Sequence, residues 1–166
     1  MTRRHILLIV FLPLCFLAAW HYLSPGRQLR SAQERLLTAI SEKDAKACQR
    51  LIHPDYTDAW TFTAADWPAI LQDLRTLSPI LEITAVDPRY EPDNGVVDTG
   101  LKALAGGGPA SDMIESRGVQ LKEPTRFVWK RQPWRPWSWR LVSIQNPELD
   151  IPSDYRPGRF SSLPAF

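Results

Sequence analysis

Residues 125–147, TRFVWKRQPWRPWSWRLVSIQNP, are two runs of alternating β-forming side chains joined by a short turn bounded by prolines. Alternation at period two places Phe127 and Trp129 on one face of a strand and Val128 on the other. In the second run Trp137, Trp139 and Leu141 share one face, and Val142 and Ile144 the other. The pattern predicts a long antiparallel hairpin, Val119–Arg131 with Trp137–Gln145, that is partly apolar on both faces and therefore covered on both sides. Pro124 marks an edge or a bulge in its first strand.

Upstream, Arg27–Ile52 reads as helix, because Leu29, Leu36, Leu37, Ile40, Ala47, Cys48 and Leu51 recur at three- and four-residue steps. Residues 41–44, SEKD, interrupt it, and Asp44 is placed to cap a short second helix, Ala45–Leu51. His53-Pro54 stops that helix, since the residue before proline is pushed out of the α region. Tyr56–Phe62 fits a short strand. Thr63 and Asp66 have capping-box spacing ahead of a helix carrying Trp67, Ile70, Leu71, Leu74 and Leu77. Ile80–Tyr90 and Val96–Ala105 read as strands joined at Asn94-Gly95, a pair that tolerates positive φ. Residues 106–118 open with GGGP and read as a polar, mobile loop. The proline-rich stretch from Pro147 to Phe166 cannot continue a sheet, and reads as a loose end or a strap across the surface.

The chain of 166 residues carries 20 Lys+Arg and 18 Asp+Glu. Arg3 and Arg4 supply the whole excess, so the remainder from Ser24 onward is neutral, which gives no reason to expect a polyanionic partner. Residues 41–115 hold 13 acids and 6 bases, opposite the basic closing hairpin; two sides of one solvated surface account for that asymmetry. At the N-terminus Arg3, Arg4 and His5 precede an unbroken apolar run, Ile6–Trp20, extended by residues 21–23. Its length falls between an export signal and a spanning helix, and no clean small-x-small cleavage site follows. Residues 1–24 are therefore read as a membrane anchor or uncleaved signal. The Arg pair sets the N-terminus in the cytoplasm and the domain outside it, although Arg27 and Arg30 oppose that bias; release into the periplasm is the alternative. Of the two cysteines, Cys15 lies in the apolar run, which leaves Cys48 as a core residue rather than half of a disulfide.

The order helix, short helix, strand, helix, four strands, together with LLTAISEKDAKACQRLIHPDYTDAW (36–60) and FVWKRQPWRPWSWRLVSI (127–144), resembles the NTF2-like superfamily, the cone fold of ketosteroid isomerase, limonene epoxide hydrolase and SnoaL-type cyclases. The resemblance covers Gln28–Asn146. It implies an α+β domain over 27–146, in which about three N-terminal helices pack on a strongly curved, mostly antiparallel sheet that cups the Leu36/Leu37/Ile40 ridge and leaves a cavity at its open end. It also implies pairing of two copies through the sheet face. The inward acid and base sets of the family's enzymes have no complete match here.

The densest polar group is His53, Asp55, Tyr56 and Asp58. As chemistry, it offers Asp55 or Asp58 as a general base with His53 or Tyr56 as hydrogen-bond partner, which needs a partly desolvated carboxylate. As structure, it is a helix-ending His-Pro followed by solvated turn acids, the commoner arrangement. Two candidate ligands are too few for a metal, and no cofactor is implied. Trp60, Trp129 and Trp139 are candidates to line a hollow for a small apolar ligand. Tryptophans interleaved with Arg126, Lys130, Arg131, Arg135 and Arg140 could stack on a single-stranded nucleic acid, but the compartment argues against that partner. Two functions remain. One is a membrane-tethered extracytoplasmic binding or scaffold module, holding an apolar ligand in its cone or a protein on its sheet. The other is a small-molecule isomerase or hydrolase.

Overall fold

The computed structural model describes residues 24–161, apart from the side chains of 118–120 and 136; the apolar run and the last five residues lie outside it. Helix α1 spans Pro25–Ser41. Pro25 suits its first turn, where the missing N–H has no partner to lose. Leu29, Ala32, Gln33, Leu36, Leu37, Ala39 and Ile40 form its buried stripe. Lys43 takes a left-handed φ of 55° and turns the chain into α2, Ala45–Leu51. The Asp44 carboxylate caps α2 by accepting from the Ala47 N–H at 2.9 Å.

Tyr56–Phe62, expected as a strand, is a string of turns pinned to the edge of the sheet. The His53, Thr57 and Ala59 amides donate to the carbonyls of Leu141, Val142 and Ile144. A single bridge, Thr57 to Thr63, is all that remains of strand pairing within it. Thr61 at φ 70° and the Asp58 side chain, which bonds the loop's own backbone, prevent a continuous ladder. Only half of the capping box forms. Asp66 accepts from both the amide and the hydroxyl of Thr63, and helix α3, Trp67–Leu77, begins after Asp66.

Strands β1 (Ile80–Glu91) and β2 (Val96–Gly106) form the first hairpin. Gly95 turns it at φ 66°, and a Cβ there would lie 2.1 Å from the Trp129 carbonyl oxygen, so no other residue fits. Strands β3 (Thr125–Gln132) and β4 (Arg135–Gln145) form the second. The sheet is antiparallel in the order β1-β2-β3-β4. Helix α1 packs on β1 and also on β4, the two outermost strands, so the sheet curls around it. Irregularities between Val86 and Arg89 and between Val128 and Trp129 supply the bend.

The second irregularity also corrects the faces read from the sequence. Trp129 pairs with Leu141 and Val128 with Ser143, which leaves Val142 unpaired. Beyond that extra residue the alternation reverses, and Ile144 turns to the core with Leu141 and Phe127. A further break beyond Arg131 carries Trp137 out of register with Trp139, and Trp137 is solvent-exposed while Trp139 is buried.

Residues 111–120, expected as the end of a loop and the start of a strand, are helix α4, Ser111–Gln120, packed beside β2. Asp112 in its first turn and Arg117 in its last match the helix dipole. Its apolar periodicity is weak, which hid it. β3 consequently starts at Thr125.

The chain beyond Pro147 lies across the domain as a strap. Asn146 begins it, donating to the Glu123 carbonyl and Thr125 Oγ1 while its own oxygen accepts the Glu148 and Leu149 amides. The strap ends on the buried Asp73 of α3. That carboxylate accepts from the Tyr155 hydroxyl and from the amides of Gly158, Phe160 and Ser161, all at 2.8–2.9 Å.

Cys48 is fully buried in the core, and burial pushes its thiol up to about 12. The thiolate is the reactive form. Native chain at pH 8 is expected to label at Cys48 more than about 100-fold more slowly than urea-unfolded chain, measured by mass spectrometry of the Cys48 peptide. Equal rates would show that this core opens freely.

Candidate functional site

The loop 53–62 brings together Tyr56 and Asp58 and sends Asp55 elsewhere. Asp55 is 84% exposed, with only a 3.6 Å approach to His53 Nδ1. His53 Nδ1 accepts the Asp55 amide, a local turn bond. Tyr56 is 1% exposed, its ring set edge-on to Trp67 at 5.7 Å. Its hydroxyl donates to Asp58 Oδ2 at 3.1 Å. Asp58 Oδ1 accepts the amides of Trp60 and Phe62 at 3.0 and 2.9 Å.

These bonds favour the Asp58 carboxylate, yet its pKa is raised. Burial is the largest influence, and nearby Asp66 adds to it, outweighing the three hydrogen bonds. Burial, followed by the Asp58 charge, likewise raises Tyr56 far above the usual phenol range. A general base needs a lone pair aimed at substrate space. Asp58 instead directs its oxygens to its own loop.

The sign of the Asp58 shift gives a test. The folded state holds this proton more tightly than the unfolded chain, so stability falls as pH rises from the ordinary carboxylate range through the raised pKa. Asn resembles the protonated acid. The Tm of Asp58→Asn relative to the parent is therefore expected to rise between pH 4 and pH 7. A relative fall would mean that the hydrogen bonds dominate burial.

Trp60 lies against the C-terminal strap. Its Nε1 donates to the Leu149 carbonyl at 2.8 Å, tying the loop to the strap. Trp129 and Trp139 are 3% and 5% exposed and belong to the same core as Leu36, Tyr56, Phe127 and Leu141. Trp129 Nε1 donates to Gln33 Oε1 at 3.1 Å, a buried bond between β3 and α1. Trp139 Nε1 has no partner among the described residues, so its indole contributes by packing, with the Arg131 guanidinium stacked 4.9 Å over the ring. Trp129 and Trp139 are thus core residues that also edge a hollow beside the turn at Pro92 and Gly95, whereas Trp60 lies against the strap.

Two hollows on the described domain are open to solvent. One, about 430 Å³, lies between Lys43–Lys46 and Pro68–Arg75. Lys43 Nζ there donates to the Ser41 and Pro79 carbonyls, and burial followed by the neighbouring Arg75 lowers its pKa. The other, about 330 Å³, lies between the Pro92–Gly95 turn and Trp129, Lys130, Arg131 and Trp139. Neither was legible in the sequence, because each joins segments more than 20 residues apart. No group of three His, Cys, Asp or Glu side chains able to hold a metal occurs among the described residues. No helix among them is long and apolar enough to cross a membrane.

No protein-family model matches the chain, and no curated protein matches it. Solved structures do. A putative dehydratase from the NTF2-like family of Streptomyces avermitilis aligns at TM-score 0.53 and 15% identity, over 73% of this chain and 93% of that one. The S. rosetta CaMKII hub aligns at TM-score 0.53 and 17% identity, over 73% and 94%. Bd1075 of Bdellovibrio bacteriovorus aligns at TM-score 0.54 and 10% identity over 72% of this chain, which spans only 40% of that protein. These neighbours include a protein of the NTF2-like family, and the described domain has the NTF2-like fold, an α+β architecture with four helices and a four-stranded antiparallel sheet.

Proposed function

We propose that this chain is a membrane-tethered, extracytoplasmic NTF2-like module that works by docking a macromolecule rather than by turning over a small one. The observation that carries this reading is the packed interior: Tyr56, Phe127, Trp129 and Trp139 are buried in one core cluster with Leu36, Leu37 and Ile40. The fold alone separates nothing, since its neighbours include both a hub and a putative dehydratase. The outer face of β1–β2 carries exposed Ile80, Val86 and Leu104, a surface suited to a second copy or another protein. Residues 6–23 hold the module to the bilayer, with release into the periplasm as the alternative.

The test is the full chain expressed in a bacterial host. Retention in carbonate-washed membranes, an intact N-terminal mass and digestion of the domain by protease added outside the inner membrane are the expected results. A cleaved, soluble form would overturn the tether. Light scattering of the nanodisc-reconstituted chain is expected to show self-association; a strict monomer at high concentration would remove the second-copy arm.

The Tyr56–Asp58 pair favours a second reading, an isomerase or hydrolase with Asp58 as base. It requires the 58–62 loop to release a carboxylate oxygen. Loss of turnover in Asp58→Asn with unchanged stability at pH 4 would support it, and turnover that survives the substitution would dismiss it.

A further inference from the structure

Three segments distant in sequence meet at one end of the domain. The first turn of α1 touches the β1–β2 turn, since a Cβ on Gly26 would lie 3.8 Å from Pro92 Cγ. That turn in turn lies on β3–β4, with Gly95 against the Trp129 carbonyl and the Trp139 ring. The β3–β4 hairpin ends just beyond, where Gln132 pairs with Arg135. Its tip is apolar and exposed: Trp134 is 93% and Trp137 56% exposed. Lys130, Arg131 and Arg135 are exposed on the same hairpin, and Arg27, Glu91 and Asp93 are exposed on the α1 start and the β1–β2 turn beside it. Trp134 stands almost wholly in water and Trp137 more than half so, and the register break beyond Arg131 is what presents Trp137.

Only Ser24 separates the apolar run ending at Leu23 from α1. A run that enters a bilayer therefore brings the start of α1, and the elements beside it, towards the headgroup layer. Tryptophan is favoured at that depth because its ring is apolar and its N–H is wet, and basic side chains beside it are attracted by anionic headgroups.

We propose that the β3–β4 hairpin tip, Trp134 and Trp137 with Arg27, Lys130, Arg131 and Arg135, is a second membrane contact that lays the domain against an anionic bilayer surface. This rests on the tethered reading above and adds the orientation of the domain to it. The tip then fixes which face points away from the membrane, leaving the Ile80/Val86/Leu104 surface free for its partner.

The experiment reconstitutes the full chain in vesicles of phosphatidylcholine with about 30% phosphatidylglycerol, and in phosphatidylcholine alone. Tryptophan fluorescence is read against lipids carrying a quencher at the headgroup. Trp20→Phe removes the signal of the apolar run. In that background, headgroup quenching is expected to be about twofold stronger in the anionic vesicles and to weaken in about 1 M salt. It is expected to disappear in Trp134→Phe/Trp137→Phe and to fall in Arg27→Gln/Lys130→Gln/Arg135→Gln, with near-ultraviolet circular dichroism unchanged. Equal quenching with and without Trp134 and Trp137 overturns the proposal, as does a tip left unquenched, the result for a surface that binds protein. Quenching of Trp20 by acyl-chain probes separates the two readings: Trp20 quenched and the tip not leaves the tether standing, whereas neither quenched removes both.

Discussion

Replacing Asp73 with Ala is expected to release the C-terminal strap and to cost about 3–5 kcal/mol of stability, a large share of the roughly 5–15 kcal/mol that holds a domain of this size together. The carboxylate is buried on α3 and accepts four hydrogen bonds from Tyr155, Gly158, Phe160 and Ser161. Hydrogen bonds to a charged group contribute about 1.5–3 kcal/mol each, but the freed amides recover water once the strap swings out, so the total stays below their sum. The Tyr155 ring also leaves its edge contact with Phe62 and its stack on Phe160. Urea titration of the full chain in detergent should show the lost stability, and limited proteolysis should show new cuts within residues 147–161. A change below about 1 kcal/mol without new cuts would mean that the strap holds by other contacts.

Trp129→Ala is expected to cost a similar 3–5 kcal/mol, by opening a cavity in the core and leaving Gln33 Oε1 without its donor. Gln33 Nε2 already lacks a partner among the described residues, so this side chain depends on the one bond. The phenylalanine variants separate packing from hydrogen bonding. Trp129→Phe removes the bond and should lose about 1–3 kcal/mol. Trp139→Phe removes an N–H that is unpaired among the described residues and should lose less, despite a comparable change in size. Equal losses would show that the Gln33 contact is incidental.

Helices α1, α2 and α3 and the two hairpins were legible in the sequence because each carries its own signal. Leu29, Leu36, Leu37 and Ile40 keep helical spacing, Asp44 stands at a cap, and Asn94-Gly95 stands between two β-branched runs. The Leu36/Leu37/Ile40 ridge is indeed buried under the curled sheet. What was misread depends on contacts at long range. Alternation alone cannot register the extra residue at Val142, because the bulge exists only in relation to β3. Helix α4 lacks a clear apolar stripe and is fixed by β2 beside it, with only Asp112 and Arg117 hinting at it. Of the candidate site, the adjacency of Tyr56 and Asp58 could be anticipated from two residues' separation. That Asp58 would bond its own loop, and that Asp73 rather than any acid near the first turns would gather the most donors, could not. The partners of Asp73 lie more than 80 residues away.

The account turns on whether the cone is full, and adding indole to the folded chain asks this directly. Thermal unfolding of the parent and of Trp129→Ala, each with and without millimolar indole, compares a filled interior with one emptied by design. A ligand that binds only the folded state raises Tm with its concentration. The parent is expected to show no rise, and Trp129→Ala is expected to recover part of its lost Tm as indole takes the vacated place beside Gln33. A rise in the parent equal to that in the variant would contradict the account, because it would mean that the interior around Trp129 takes a ligand without being emptied.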